Sequence, residues 1–467
     1  MMNETEKYIR ALLQQQGIAV PQNFETLLRT FAQTEDNINH VKSIRLLQET
    51  MTTSWQLIAR REEINTMQVA LPNGIAGKPY TAHFSFTTYG LADITASNLT
   101  GFEGSGLEYN PKTKIIQGLP KRSGDIVLNF SYNFEGEPQG APVNTRKITI
   151  IINPDPKSLW KNIPSNAEDA YAKADDVAET ASFLGKTLVA VSKRGRSHAN
   201  NGGFRDDDYA FAKLPSGWGI IAISDGAGSA SCSRKGSQLA CNAVIDYFRQ
   251  NFTTENTTLL DAAISSYPDN ASIKNKVQDI AHPYLLAAAK KAYADIAAFA
   301  TSINTPVSDF HATLAFVLVK QYGEGYAFFS FGVGDCPIVL ADTSFKWVKP
   351  LNTLDVGEYG GGTRFITMPE IFTNAAFEGR FNFEYTASFP HLVLMTDGIY
   401  DPKFEVEANL IKTEKWQAFF DDLAGNNPEG ITVLLEAGNA TITERLSEWM
   451  DFWSPGNHDD RTLLLIF

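Results

Sequence analysis

The sequence has few cysteines and no long apolar run. Its three cysteines, Cys232, Cys241 and Cys336, are widely spaced and form no CxxC pair. Neither a disulfide framework nor a zinc knuckle is therefore indicated, and a reducing compartment fits best. The N-terminal MMNETEKYIR lacks the apolar segment of a secretory signal, and no stretch of about 18 uncharged apolar residues occurs. We expect a cytoplasmic protein with no membrane partner.

Positive charge is also in short supply. The 467 residues include 40 Lys and Arg against 53 Asp and Glu, which gives a formal net charge of −13. Such a protein repels a phosphate backbone, so nucleic acid is not an expected partner. Hydrophobic residues at 43% and charged residues at 20% are ordinary globular usage, and the length predicts two or three domains.

The pattern of apolar residues divides the chain into four segments and predicts a multidomain protein. Residues 1–65 have helical spacing, which predicts a short α-helical N-terminus of two or three short helices. Residues 66–156 contain short alternating runs separated by turn residues, which predict an all-β sandwich. Residues 157–180 are polar and Ala-rich and predict a linker. Residues 181–467 mix apolar strands with long helical stretches and predict an α+β domain.

Two of these segments have more specific patterns. The core GLEYNPKTKIIQGLP of the second segment resembles a bacterial immunoglobulin-like or cadherin-like module, a kind of domain that binds or spaces other domains. In the last segment, helices are predicted near 236–252, 282–303 and 428–453. The predicted strands are LVAVS, GIIAIS, ATLAFVLV, YAFFSFGV, HLVLMT and TLLLIF. Because the long helices follow pairs of strands, a one-for-one α/β alternation is disfavoured.

Five acidic sites occur where an apolar run meets a Gly or another acid. They are Asp206-Asp207-Asp208, Asp225-Gly226, Asp335, Asp397-Gly398 and Asp459-Asp460. Each alone would be an ordinary turn, because Asp bonds its own backbone and Gly accepts a positive φ. Five carboxylate sites gathered at strand ends would repel one another, and a hard divalent cation would offset that repulsion. Oxygen ligands of this kind suit Mg²⁺ or Mn²⁺ rather than zinc.

In order and context, these sites resemble the motifs of the metal-dependent serine/threonine protein phosphatases of type 2C. From Ser192 to Phe467 the motifs are RDDDYAF, ISDGAGS, HATLAFVLV, FGVGDCPIVL, LMTDGIYDP and NHDDRTLLLIF. Three further stretches, SKRGRSHANNGGFRDDD, DGAGSA and GEYGGGTRFIT, are similar to a bacterial branch of the family. The resemblance implies an α-β-β-α sandwich of two antiparallel sheets, with metal ions at one edge between the sheets.

The resemblance also implies two or three divalent cations, Mn²⁺ or Mg²⁺, and their ligands. Asp225 would bridge two ions, and the carbonyl oxygen of Gly226 would bind one of them. Asp397 and Asp459 would complete the binuclear site, and Asp335 would hold a third ion.

The sequence does not decide which of two neighbouring residues of the first acidic motif is the metal ligand. Asp208 is the preferred ligand and Asp207 is the alternative, whereas Asp460 is expected to support Asp459 without binding a metal ion itself. Thr313, in the Thr-rich strand, is expected to be structural because β-branched residues suit strands. The stretch from Gly357 to Gly362 would form either a flap over the site or a long loop.

The implied reaction is hydrolysis of a phosphate ester by a hydroxide that bridges two metal ions. A leaving alkoxide needs a proton, and the better-studied family members carry a His after the second Asp-Gly, where this chain has Ala227. His198 is the predicted substitute, with a capping or surface role as its alternative. For the phosphate-binding arginine, Arg205 lies closest to the motif, and Arg194 and Arg196 are alternatives.

The leading hypothesis is a cytoplasmic phosphatase of phosphoserine or phosphothreonine proteins, whose N-terminal modules recruit or regulate partners. The resemblance suggests a cognate Ser/Thr kinase and a von Willebrand factor A-type protein as associates. The alternative is a pseudo-phosphatase that binds phosphoproteins or acts as a scaffold. A serine-nucleophile hydrolase and a nucleotide-binding protein are disfavoured, because G-x-S-x-G and G-x-x-x-x-G-K-[ST] are both lacking. Nor does an Arg stand six residues beyond any cysteine, as a cysteine-dependent phosphatase would need.

Overall fold

In the computed structural model, the described residues are 3–267, 270–323, 325–355, 362–373 and 379–467. The chain divides into two units, Met1–Leu159 and Trp160–Phe467. The division falls inside the segment predicted as a linker. The four predicted boundaries stay predictions, although a strand at Asp176–Phe183 already begins within that segment.

The first unit begins with three helices, α1 (Glu4–Gln15), α2 (Glu25–Ala32) and α3 (Glu35–Thr66). The helical N-terminus is confirmed, but the prediction of short helices is wrong for α3, which has 32 residues. The side chain of Thr34 caps its N-terminus, and no Gly or Pro interrupts the sequence of α3, so nothing ends the helix early.

Seven strands follow in the first unit. They are β1 (Gly74–Ile75), β2 (Tyr80–His83), β3 (Ile94–Thr100), β4 (Leu107–Asn110), β5 (Ile115–Gly118), β6 (Gly124–Phe134) and β7 (Asn144–Asn153). They form a sheet of order β1-β7-β6-β3 and a sheet of order β2-β5-β4. One core takes Ile116 from β5, Leu128 from β6 and Ile150 from β7, together with Ile64 of α3. The predicted β-structure is confirmed, and its immunoglobulin-like or cadherin-like identity stays a prediction.

The described residues of the second unit form two antiparallel sheets. Their strands are β8 (Asp176–Phe183), β9 (Lys186–Lys193), β10 (Asp208–Lys213), β11 (Gly219–Ser224), β12 (Leu314–Tyr322), β13 (Gly325–Val333), β14 (Ile338–Ala341), β15 (Val348–Pro350), β16 (Phe381–Thr386), β17 (His391–Met395) and β18 (Arg461–Ile466). The strand orders are β10-β11-β12-β13-β16 and β15-β14-β17-β18-β9-β8. The strands predicted from the six apolar runs are confirmed.

Seven α-helices of the second unit lie within the described residues. They are α4 (Arg196–Asn201), α5 (Ser233–Asn251), α6 (Thr258–Ser266), α7 (Lys274–Ser302), α8 (Asp397–Phe404), α9 (Thr413–Leu423) and α10 (Ile442–Trp449). The helix predicted over 428–453 is wrong except for α10, because Gly430 and Gly438 adopt φ values of 67° and 81° that end regular helix. Among the described residues, no helix combines the length and hydrophobicity that a membrane span requires.

Among the residues that the structure describes, three apolar cores hold the second unit together. One packs Ile220 and Phe316 of the first sheet against Ala289 of α7 and its neighbours. A second contains residues of both sheets, among them Ile221 and Leu464. The third packs the other side of the second sheet against α8, α9 and α10. Because strands of both sheets contribute to one core, residues at their ends are brought near one another.

Candidate metal centre

Four of the predicted metal ligands lie where strands of the two sheets begin or end. Asp225 follows β11, Asp335 follows β13, Asp397 follows β17 and begins α8, and Asp459 precedes β18. Burial and the negative charges of Asp397, Asp207, Asp459 and Asp335 hold the pKa of Asp225 well above its usual range. We call these five residues the carboxylate cluster. The fold brings these residues from distant parts of the sequence close enough for their charges to disfavour one another's ionisation.

Two features of the cluster fit a divalent cation with oxygen ligands. Asp397 Oδ1 is buried and has no hydrogen-bond partner among the described residues, while burial and the charge of Asp459 hold the pKa of Asp397 well above its usual range. Ligand atoms of Asp225, Asp335 and Cys336 lie within 4.8 Å of one another. Burial raises the pKa of the Cys336 thiol well above its usual value, so the carboxylates are the better ligands for a hard ion.

The two alternatives in the first acidic motif, Asp207 and Asp208, have different surroundings. Asp207 is 1% exposed, and its Oδ2 accepts hydrogen bonds from the hydroxyls of Thr396 and Thr462, each at 2.7 Å. Burial raises the pKa of Asp207 to about 8. The Asp208 carboxylate instead accepts a hydrogen bond from Lys173 Nζ at 2.9 Å. These contacts favour Asp207 over Asp208 as the ligand, and the choice between the two stays a prediction.

Gly226 lies in a tight turn against the first acidic motif. A Cβ at this position would be 2.8 Å from the carbonyl oxygen of Asp206 and 2.9 Å from Ser233 Cβ. Any larger residue would push these segments apart, so the close approach of the two motifs requires glycine. The metal-binding role of the Gly226 carbonyl oxygen stays a prediction.

Asp460 holds the loop that carries the first acidic motif. Its carboxylate accepts hydrogen bonds from the backbone N–H groups of Gly195 and Asp206, at 2.6 and 2.5 Å. Although burial favours the neutral form, hydrogen bonds from His198 and these N–H groups hold the pKa of Asp460 below its usual range. Its backbone N–H donates to Asp459 Oδ1 at 2.8 Å, which is the kind of contact expected from a residue that supports Asp459.

His198 lies beside this carboxylate. Its Nδ1 is 3.0 Å from both oxygens of Asp460, and its Nε2 is 3.7 Å from Asp206 Oδ2. The hydrogen bond to Asp460 raises the pKa of His198 to about 9, although burial opposes the charged form. The raised pKa favours the doubly protonated imidazole, which is the state that a general acid needs.

All three arginines considered for phosphate binding are engaged by other groups. Arg205 is 3% exposed and donates to Ser192 Oγ at 2.5 Å and to the Asp207 carbonyl oxygen at 2.6 Å. Arg194 donates to the carbonyl oxygen of Gly203, and Arg196 to those of Phe452 and Asp451. These contacts give all three side chains a role in holding the loop, and they disfavour the predicted role of Arg205 in binding phosphate.

Two residues next to the Gly334-Asp335 turn, Thr363 and Arg364, were not predicted from the sequence as site residues. Thr363 donates a hydrogen bond from Oγ1 to Asp335 Oδ2 at 2.9 Å. The next residue, Arg364, is exposed, and none of the described residues makes a hydrogen bond or ion pair with its guanidinium. The motif GEYGGGTRFIT contains both residues and was a usable signal. Residues 357–361 of the predicted flap lie outside the described residues.

Comparisons with known proteins agree with the motifs. The family model described as Protein phosphatase 2C matches residues 194–450, which is more than half of the chain. A comparison with curated proteins gives no match.

Solved structures with some similarity include three bacterial phosphatases. A structure described as a bacterial serine phosphatase has 12% identity and a TM-score of 0.35, with 60% of this chain and 96% of that chain covered. Serine/threonine phosphatase Stp1 from Staphylococcus aureus has 10% identity and a TM-score of 0.33, with 65% of this chain and 98% of that chain covered. The Mycobacterium tuberculosis serine/threonine phosphatase PstP/Ppp has 16% identity and a TM-score of 0.34, with 60% of this chain and 97% of that chain covered.

Proposed function

The chain belongs to the protein phosphatase 2C family, and from this premise we propose that it hydrolyses phosphoserine and phosphothreonine esters of proteins at the carboxylate cluster. The observation that carries the proposal is the buried Asp397 Oδ1, which has no hydrogen-bond partner among the described residues. The pKa of Asp397 is raised, as are those of Asp225 and Asp207. Ionised carboxylates this close together need a compensating cation.

Asp207, Asp225, Asp397 and Asp459 would hold two divalent cations, and Asp335 would hold a third. When bound, such ions lower the pKa of a water molecule to near neutrality and neutralise charge on phosphoryl oxygens. Carboxylate ligands suit both Mg²⁺ and Mn²⁺. This assignment differs from the sequence prediction in using Asp207 where Asp208 was preferred.

Two residues of the chain would act on the substrate directly. His198 would donate its Nε2 proton to the leaving serine or threonine oxygen, because its Nδ1 is held by Asp460 and its pKa is raised to about 9. Arg364 would bind the phosphoryl oxygens, because its side chain is exposed and follows Thr363, which donates to Asp335. A guanidinium is well suited to this contact, since it presents several N–H donors in one plane.

The rest of the chain would support this chemistry. The three cores described above support the α-β-β-α layering that the family resemblance implies. The N-terminal unit would recruit or regulate a phosphoprotein substrate. A cognate kinase and a von Willebrand factor A-type protein stay predictions from the resemblance.

The second candidate function is phosphoprotein binding without catalysis. It is favoured by Ala227 at the position where related enzymes carry a histidine, and by the engagement of Arg205 inside the protein. In this case the carboxylate cluster would bind metal and phosphate without turnover.

Hydrolysis of a phosphothreonine peptide tests both functions. Protein stripped with a chelator is assayed before and after Mn²⁺ is restored, for the wild type, Asp397→Asn and Asp246→Asn. Asp246 is a control because its side chain is 55% exposed on α5. We expect Mn²⁺-dependent hydrolysis that only Asp397→Asn abolishes. Mn²⁺-dependent peptide binding without hydrolysis in the wild type would support the second function, and hydrolysis in full chelator would contradict both.

A further inference from the structure

The long helix α3 carries a row of exposed apolar side chains. Ile44, Leu47, Met51, Trp55 and Ile58 are 37%, 64%, 74%, 68% and 56% exposed. We call these five residues the α3 stripe. With 3.6 residues per turn they fall within an arc of about 80° on the helix surface. A continuous apolar row of this length is unusual on the surface of a monomer.

Other sides of α3 already have partners within the first unit. Leu57 and Ile64 pack into the core of the β-sheets, and Val41 packs against Leu28 of α2 and Ile9 of α1. The helix therefore has its packing requirements met without the α3 stripe. The exposed side chains of the stripe are additional to what holds this unit together.

The α3 stripe is symmetric about its central residue. In the sequence, Leu47 and Trp55 lie four residues on either side of Met51, and Ile44 and Ile58 lie seven residues on either side. An antiparallel helix pair with a two-fold axis at Met51 places Leu47 opposite Trp55 and Ile44 opposite Ile58. Such an isologous contact uses the same surface on both subunits. We propose that α3 pairs antiparallel with α3 of a second copy of this chain to form a dimer.

The charged residues around the α3 stripe favour this arrangement. From Leu46 to Ala59 the only charged residue is Glu49. His40 and Glu62 each lie eleven residues from Met51, so antiparallel pairing places His40 of one copy next to Glu62 of the other at both ends. Parallel pairing would oppose Glu62 to Glu62, a like-charge contact that disfavours association.

The size of the α3 stripe agrees with a small but specific interface. Four of its five side chains expose more than half of their surface, and pairing two such stripes would bury roughly 1,000 Å² in total, which is near the lower limit for specific interfaces. The opposed bulky Trp55 and smaller Leu47 side chains would interlock better than two tryptophans in parallel register.

The oligomeric state of the full chain tests this dimer. Leu46 and Leu47 provide a matched pair, since both are 64% exposed leucines that point to different sides of α3. Sedimentation velocity of wild type, Leu47→Glu and Leu46→Glu at equal concentration should show dimers for the wild type and Leu46→Glu and a monomer for Leu47→Glu, with equal helix content by circular dichroism. A monomeric wild type, or equal behaviour of the two variants, would overturn the proposal.

Oxidative cross-linking tests the helix direction. The double variant Ile44→Cys/Ile58→Cys should form a covalent dimer, whereas neither single variant should exceed the background of the three native cysteines. A covalent dimer of Ile44→Cys alone would indicate parallel pairing and overturn the antiparallel arrangement. Binding of the wild type as a monomer to phosphatidylserine vesicles, lost in Leu47→Glu, would assign the stripe to a membrane surface instead and overturn the proposal.

Discussion

Thr313 and Asp225 hold one another through two hydrogen bonds. The Asp225 backbone N–H donates to Thr313 Oγ1 at 2.8 Å, and the Thr313 backbone N–H donates to the Asp225 carbonyl oxygen, also at 2.8 Å. Thr313 is 2% exposed. The threonine that precedes β12 therefore fixes the backbone of Asp225, a member of the carboxylate cluster, and this contact is of the structural kind expected for Thr313.

Replacing Thr313 with Val should weaken this contact. The substitution removes the hydroxyl oxygen but keeps the branched shape, so the Asp225 N–H loses a buried acceptor, at a cost of about 1–3 kcal/mol in the free energy of unfolding. Urea denaturation in chelator measures this loss. Thr313→Ser keeps the hydroxyl and should retain most of the stability, and a Val variant as stable as the Ser variant would refute the importance of the hydrogen bond.

The Asp207→Asn variant should lose catalytic activity, whereas the Asp208→Asn variant should mainly lose stability. Loss of a metal ligand should lower kcat/KM by more than about 100-fold, because even residues that only orient a ligand cost 10- to 100-fold. Asp208→Asn instead removes the carboxylate that forms an ion pair with Lys173 and should mainly lower stability. Metal-dependent hydrolysis and thermal unfolding of both variants measure this difference. If Asp208→Asn were the inactive protein, the assignment of Asp207 would be wrong.

The metal-free protein should lose stability as the pH rises. The pKa values are raised to about 6 for Asp206, about 8 for Asp207 and about 9 for His198. Each group therefore binds its proton more tightly in the folded than in the unfolded chain, and the free energy of unfolding falls as pH rises through these values. Each group contributes at most about 1.4 kcal/mol per pH unit.

The measurement is the thermal midpoint in chelator across this pH range, repeated with saturating Mn²⁺. Bound cations favour the ionised carboxylates. The thermal midpoint should therefore decrease less steeply with rising pH when Mn²⁺ is bound. The thermal midpoint of the Asp207→Asn variant in chelator should also decrease less steeply with pH than that of the wild type. A midpoint that rises with pH in chelator would contradict the electrostatic description of the cluster.

Replacing His198 should lower kcat more for substrates with poor leaving groups than for substrates with good ones. A serine or threonine alkoxide needs a proton as it leaves, whereas p-nitrophenolate is stable without one. His198→Asn should therefore lower kcat for a phosphothreonine peptide much more than for p-nitrophenyl phosphate. Equal losses on both substrates would assign His198 to holding the loop through Asp460 rather than to proton donation.

The strand ends were the part of the site most open to prediction. Asp225, Asp335 and Asp397 each follow an apolar run long enough to be a buried strand, and a turn at that point exposes a carboxylate at the edge of a sheet. Local sequence therefore determines both the strand and the position of the acid. The N-terminal helices and the β-structure of residues 66–156 followed from periodicity in the same way.

Other features depend on contacts between residues far apart in sequence. The side chain of Asp207 is oriented by hydrogen bonds from Thr396 and Thr462. The side chain of Asp208 is oriented by Lys173. The neighbouring sequence alone therefore could not show which of the two residues is the better candidate ligand. The burial of Arg205 likewise depends on Ser192 of β9. By contrast, the glycines at 430 and 438 were visible in the sequence and should have argued against a helix over 428–453.

Mn²⁺ binding to the metal-free protein is the most direct test of the central claim that the carboxylate cluster is a catalytic metal centre. Calorimetric titration should show at least two ions per chain in the wild type, with hydrolysis of a phosphothreonine peptide rising as the sites fill. Asp225→Asn should lose both binding and activity while unfolding at a higher temperature than the wild type in chelator, since an amide avoids the free-energy cost of burying or protonating this carboxylate. Absence of Mn²⁺ binding in the wild type, or hydrolysis that does not depend on occupancy, would contradict the account.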